Sequence, residues 1–95
     1  MYYVYVLTNV TNRVLYVGVT NNLSRRLCEH RTELDRGSFT ARYRLHKLVF
    51  FEALETAEAA ISREKQWKSW SRARKEKQIA AQNPQWRDLS IEIDP

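Results

Sequence analysis

Two runs rich in aromatic and β-branched residues open the chain. Tyr2–Thr8 and Arg13–Thr20 flank a polar stretch, Asn9-Val10-Thr11-Asn12. That pattern predicts a β-hairpin. With Thr8 paired to Arg13 across a four-residue loop, Tyr5 falls opposite Tyr16. Both phenols then project from the same face of the sheet. Two phenols on one face, beside Gly18 where other groups can approach closely, read as a site more than as packing.

The period then changes. Asn21 or Asn22 can cap a helix running to about Asp35, with Gly37 to end it and Leu23, Leu27 and Leu34 as its apolar stripe. Ser38–Leu45 is expected to be a polar, basic loop. Lys47–Ala53 predicts a third strand through Leu48-Val49-Phe50-Phe51. Thr56 can cap a second helix to about Trp70. Ser71 breaks or bends it before a last helical stretch that ends near Gln82, and Pro84 prevents continuation. In the tail, Leu89, Ile91 and Ile93 alternate, which fits either a short strand or a segment that packs down. The order is ββαβα plus a C-terminal helix. A three-stranded sheet flanked by helices is an α+β layer architecture.

Composition narrows the class. Ninety-five residues with 43% hydrophobic and 12% aromatic content, two Gly and two Pro, are globular rather than disordered. They are expected to form one domain, residues 1–95. The formal net charge is +5, and Arg outnumbers Lys eleven to five. Arg presents a planar fork suited to phosphate, so the balance favours a polyanionic partner. Cys28 is the only cysteine, which excludes an internal disulfide and a Cys-rich zinc site. No charged leader precedes a long apolar stretch, and the longest apolar run, Val14 to Val19, is too short to span a membrane. A cytoplasmic, reducing compartment is the simplest expectation.

Several polar residues stand where apolar ones are expected. Arg26 and His30 lie close to the apolar stripe of the first helix and are an i, i+4 pair. Each alone fits a boundary side chain or a satisfied histidine; together they point to a site. Arg25 and Glu29 lie on the other side, where an ordinary exposed ion pair is expected. On the second helix, Ala57, Ala60, Ile61 and Trp67 mark the apolar side and Glu64 sits within that arc. A carboxylate there is either paired or binds a cation. Spacing leaves an ion pair with a neighbouring Arg or Lys and a metal role equally open. Phosphodiester cleavage needs such a set: a base to activate water, a cation to offset charge at phosphate, and a carboxylate for a divalent metal. A lone glutamate suits Mg²⁺, which keeps most of its waters.

These residues resemble the GIY-YIG nuclease superfamily, and most of all its small single-domain bacterial group. Tyr3-Val4-Tyr5 stands at the first motif and Tyr16-Val17-Gly18 at the second. Thr20-Asn21-Asn22-Leu23-Ser24-Arg25-Arg26-Leu27 with His30 is similar to the helix that follows. Arg26 matches the family's catalytic arginine, His30 its frequent histidine and Glu64 its metal-binding glutamate. Asn83 is similar to the late asparagine that supports the site. Tyr3 departs from the first motif's glycine, and Val4 from its isoleucine. The resemblance implies an antiparallel three-stranded sheet and one divalent metal on Glu64, Mg²⁺ with Mn²⁺ as a substitute. It also implies a tyrosine, Tyr5 or Tyr16, that helps activate water, and Arg26 stabilising charge at the phosphate. The function it implies is a Mg²⁺-dependent DNA endonuclease, selective for structure more than sequence, in repair or recombination.

Seven basic residues and two acids lie between Arg63 and Lys77, with Trp67 and Trp70 among them. Trp67 is expected in the core; Trp70 is left open. Arg42, Arg44 and Lys47 form a second cluster beside Tyr43. Lys65, Lys68, Arg72 and Arg74, with that second cluster, are the candidate phosphate contacts for DNA, with RNA as the alternative. Two rival readings remain: a nucleic-acid-binding module on the same scaffold without hydrolysis, and an interaction protein that binds no nucleic acid.

Overall fold

A computed structural model describes residues 1–32 and 39–93. Its sheet has three strands, β1 (Tyr2–Thr8), β2 (Leu15–Thr20) and β3 (Lys47–Leu54), in the order β2-β1-β3. Both pairings are antiparallel. The class is α+β, with a three-stranded antiparallel sheet and helices against it.

β1 is central and covered on both faces, which is why Val4 to Thr8 are all buried. Its alternation separates two cores. Val4 and Val6 face one side and pack with Val17, Val49, Phe50, Ala60, Trp67 and Ile79. Tyr5 and Leu7 face the other, with Leu23, Leu27, Leu45, Leu48 and Leu89.

The hairpin register differs from the expected one by two residues. Thr8 pairs with Leu15, Leu7 with Tyr16, and Tyr5 with Gly18. The loop is longer because its polar side chains take the backbone groups that would have continued the ladder. Asn9 Oδ1 accepts from the amides of Arg13 and Val14 at 2.9 and 3.3 Å, and Thr8 Oγ1 donates to the Val14 carbonyl at 2.8 Å. Asn12 turns the chain at a φ of 59°, a conformation Asn tolerates better than most residues. A shift of two preserves facing, so Tyr5 and Tyr16 still share a side, now as diagonal neighbours with ring centroids 6.2 Å apart.

α1 (Leu23–Thr32) starts where Asn22 Oδ1 accepts from the Arg25 amide at 3.0 Å. Its expected extension to Asp35, Leu34 in its stripe and the stop at Gly37 lie outside the described residues. Within the expected basic loop the chain instead forms one short helix, α2 (Phe39–Arg42). Composition hid it: Thr40 and Ala41 are buried between basic and aromatic neighbours that face outward. α3 (Ala57–Ser69) and α4 (Arg72–Gln82) are capped by Thr56 and Ser71, whose hydroxyls accept from Ala59 and Arg74 amides at 3.1 and 3.2 Å. Trp70 between them is extended, so the break falls where Ser71 implied. Trp67 is core, against Phe50 at 4.7 Å. Trp70 is half-buried on Trp67 at 4.9 Å, with the Arg63 and Arg74 guanidinium groups over its ring.

Among the described residues the tail forms no strand. It covers the outer edge of β3 and then turns into α5 (Ser90–Ile93). The Leu89 amide donates to the Leu48 carbonyl at 2.7 Å, and Asp88 Oδ1 accepts from the Leu48 amide. The Gln82 side chain pairs both backbone groups of Phe51. Side chains therefore protect most of an edge that would otherwise invite another chain. Among the described residues, no helix is long and apolar enough to cross a membrane.

Candidate active site

Gly18 makes the site possible. A Cβ at this position would lie 2.5 Å from Tyr5 Oη, 2.6 Å from Tyr5 Cζ and 2.9 Å from Tyr16 Cε2. The Tyr5 ring therefore lies across bare backbone and aims its hydroxyl at α1. There the i, i+4 spacing of Arg26 and His30 presents both side chains to it. Arg26 Nε donates to Tyr5 Oη at 3.2 Å, and His30 Nε2 lies 3.1 Å from the same oxygen. His30 Nδ1 is 2.9 Å from Thr40 Oγ1 on α2.

Either tautomer of a neutral His30 can satisfy this chain. Arg26 can only donate, so Tyr5 accepts from it; in one tautomer Tyr5 also gives its own proton to His30 Nε2. Neutral His30 then carries its proton on Nδ1 and donates to Thr40. Electrostatics agree. Burial first, then the positive charge of Arg26, push the His30 pKa down to about 4, so the ring is neutral near pH 7. Burial pushes the Tyr5 hydroxyl up to about 12 against the opposing hydrogen bond from Arg26, so Tyr5 holds its proton. Arg26 is held charged, chiefly by its bond to Tyr5, with Glu29 and Tyr16 adding to it.

The two phenols are not equivalent. Tyr5 is 0% exposed, whereas Tyr16 is only half-buried. The Tyr16 ring meets His30 edge-on at 5.8 Å and Phe39 at 6.4 Å. Arg26 Nη1 pairs with Glu29 at 3.2 Å, yet its side chain stays 41% exposed. Glu29 thus pairs with Arg26 and not with Arg25; i, i+3 neighbours are as close as i, i+4 ones. Thr40, Phe39 and Glu29 are the residues that sequence reasoning missed. Only Glu29 carried a signal, its spacing from Arg26.

Tyr5, Tyr16, Gly18, Arg26 and His30 are thus brought together; Glu64 and Asn83 are not part of that contact set. Glu64 lies on α3, which packs on the opposite face through Ala60 and Trp67. Ala57 and Ile61 line a shallow pocket with Tyr2, Val19 and Thr20. This sets α3 alongside β2, with Glu64 one turn beyond Ile61. Its side chain is 18% exposed, and Lys68 Nζ is 3.5 Å from it. Among the described residues, no other ion pair or hydrogen bond involves that carboxylate. Asn83, buried at the end of α4, donates to the Val49 and Arg87 carbonyls at 3.2 and 2.8 Å and accepts from the Arg87 amide at 3.0 Å. It braces the α4 terminus against β3.

The basic residues divide as well. Arg42, Arg44 and Lys65 are exposed, and Arg74 stacks on Trp70. Lys47 donates to Asn12 Oδ1 at 2.8 Å. Arg72 is committed to structure: it donates to the Arg13 and Asn12 carbonyls at 2.6 and 2.5 Å and pairs with Glu76 at 2.8 Å. It pins the hairpin loop to α4.

Two phenols, a guanidinium and an imidazole thus meet on a small sheet, supplied by a YVY/YVG pair and the helix after it. The GIY-YIG catalytic domain model matches residues 1–78, and the chain belongs to the GIY-YIG family. The match includes Glu64 and ends before Asn83. The family implies nuclease activity and a nucleic-acid substrate.

Three similar proteins carry the description UPF0213 protein. One from Syntrophus aciditrophicus is 37% identical over 83 residues, 87% of this chain and 93% of the relative. One from Natronomonas pharaonis is 40% identical over 80 residues, covering 83% and 91%. One from Haloquadratum walsbyi is 35% identical over 75 residues, covering 79% and 82%. No solved structure matches significantly.

Proposed function

We propose that this protein is a metal-dependent endonuclease that hydrolyses DNA phosphodiester bonds, selecting structure more than sequence, in repair or recombination. The observation that carries the reading is the hydrogen-bonded chain Arg26–Tyr5–His30–Thr40 beside the more open Tyr16. Such a chain fixes a permanent cation beside a second phenol at one place, and a fixed cation is what offsets charge developing at a phosphate.

The roles follow from exposure and protonation. Tyr5 is neutral and buried, so it positions: its hydroxyl holds both Arg26 Nε and His30 Nε2. Arg26, with an exposed edge and a charge that Tyr5 secures, binds the phosphate and offsets the charge that develops there. Tyr16 is the phenol that faces substrate and helps activate water.

Glu64 fits a divalent cation. It is a largely buried carboxylate with one loose partner, Lys68, and so has lone pairs to spare. Among the described residues there is no group of three or more His, Cys, Asp and Glu that could hold a metal. One carboxylate with water and phosphate oxygens suits Mg²⁺ or Mn²⁺ and not zinc. Bound there, the metal supplies a Lewis acid for phosphate oxygens and a water of lowered pKa. Arg42, Arg44, Lys47, Lys65, Lys68 and Arg74 supply backbone phosphate contacts, and no base-reading motif accompanies them.

One observation favours the second reading, a nucleic-acid-binding module without hydrolysis: Glu64 pairs with Lys68, and among the described residues no hydrogen bond or ion pair joins it to the four clustered side chains. A cleavage panel of branched, flapped, single-stranded and blunt DNA in Mg²⁺, Mn²⁺ and EDTA separates the two. Metal-dependent nicking supports the enzyme. Salt-sensitive binding with no nicking in any arm supports the module.

A further inference from the structure

An aromatic surface continues outward from the site. Phe39 sits 6.4 Å from Tyr16, and Tyr43 sits 4.8 Å from Phe39, with the Arg42 guanidinium 5.7 Å over the Tyr43 ring. Phe39 is 48% exposed and Tyr43 42%. The same short helix buries Thr40 and Ala41, and Thr40 is tied to His30. The catalytic cluster therefore anchors α2 from beneath, while its aromatic residues face outward. Exposed Arg44 follows directly. Adjoining exposed rings beside a polar cluster offer flat π-faces on which another ring can stack.

We propose that Phe39 and Tyr43 form a stacking shelf for an unpaired DNA base adjoining the phosphate held at Arg26, so that the preferred substrate carries a single-stranded nucleotide at that position. This rests on the nuclease reading above and specifies its substrate. The shelf begins at Tyr16, so a strand whose phosphate meets Arg26 places a neighbouring nucleotide over Phe39. Arg42 and Arg44 offer cations for the phosphates that follow. Stacking accepts any base, because every base has a π-face, and requires that the base be out of its pair. A paired base has both faces covered by its neighbours, so an intact duplex gains nothing from the shelf.

The test is equilibrium binding in EDTA at one low salt concentration, by fluorescence anisotropy, to a flapped duplex and a blunt duplex of the same sequence. A second flap carries 2-aminopurine at the unpaired position next to the junction. We expect the wild type to prefer the flap and to quench the 2-aminopurine. Phe39→Ala with Tyr43→Ala loses about 5- to 150-fold in flap affinity, from the stacking range of one base. It loses the quench and keeps its duplex affinity within about twofold. Phe39→Trp with Tyr43→Phe keeps both the preference and the quench. Equal losses on flap and duplex, or no loss on the flap, overturn the shelf while leaving the nuclease reading intact. A wild type that binds neither DNA overturns both. Shelf-dependent flap binding without cleavage under Mg²⁺ upholds the shelf and overturns the nuclease.

Discussion

Replacing Gly18 with alanine tests the geometry on which the site is built. The added methyl would lie 2.5 Å from Tyr5 Oη, 2.6 Å from Tyr5 Cζ and 2.9 Å from Tyr16 Cε2. Unstrained carbon contacts lie at about 3.5–4.0 Å, so roughly an ångström must be recovered. Tyr5 cannot yield it cheaply. It is fully buried among Leu7, Leu23 and Leu27, and its hydroxyl is held by Arg26 and His30. The strand or the ring must therefore shift, at a cost of about 1–3 kcal/mol. For a domain of this size that lowers Tm by roughly 5–20 °C. Thermal unfolding of Gly18→Ala measures it directly. A double-mutant cycle with Tyr5→Phe refines it: loss of Oη removes the shortest contact, so the two changes should couple by at least about 0.5 kcal/mol. The longer contact from Tyr5 Cζ persists, so the relief is partial. A Gly18→Ala protein that melts within about a degree of wild type, with additive effects in the cycle, refutes the account of why glycine stands there.

Two further predictions follow from the same contacts. Unfolded His30 takes a proton near its ordinary pKa, whereas folded His30 takes one only at about 4. Its contribution is whole above pH about 6.5 and is lost as pH falls, by about 1.4 kcal/mol per unit and about 3 kcal/mol in all. Urea unfolding at pH 7 and pH 4.5 should show a larger loss for wild type than for His30→Gln; equal losses contradict the neutral, hydrogen-bonded ring. For the basic residues, Arg72→Ala should cost about 1–2 kcal/mol of stability by freeing the hairpin loop and leave the salt slope of DNA binding unchanged. Arg42→Ala should do the reverse and reduce that slope by about one; a reduced slope for Arg72→Ala instead would return that residue to the DNA interface.

The strands and the long helices were legible because period and caps agreed. Val-rich alternation, Thr56, Ser71 and Pro84 each act locally, and local physics survived folding. The hairpin register was not legible. Its loop length turned on whether Asn9 would accept from the Arg13 amide, a side-chain choice that strand pattern does not encode. α2 was hidden for a related reason: four residues carry no period, and its stability comes from docking Thr40 onto His30. The tail's alternation fitted either a strand or a segment that packs down, and the second is what the described residues do, with Gln82, Asp88 and Leu89 bonded to the β3 edge.

Of the candidate site, Tyr5, Tyr16, Arg26 and His30 were readable as inward-facing polar residues, and the structure brings them together. Exposure distinguishes Tyr5 from Tyr16, and exposure is a tertiary property. Arg72 looked like the other cations of its helix; only the position of the loop reveals that each of its three guanidinium nitrogens already donates within the fold. Asn83 could be read as important, but its work as a brace between α4 and β3 appears only once Val49 is placed beside it.

The proposed nuclease requires that the arginine of α1 and the glutamate of α3 serve one reaction. It is tested most directly by single-turnover cleavage of a flapped DNA in Mg²⁺ by wild type, Arg26→Ala and Glu64→Ala, each shown to be folded by its melting curve. The account predicts metal-dependent cleavage by wild type and a fall of about 100-fold or more in both variants. Full activity in both variants, or wild-type cleavage that persists in EDTA, contradicts it.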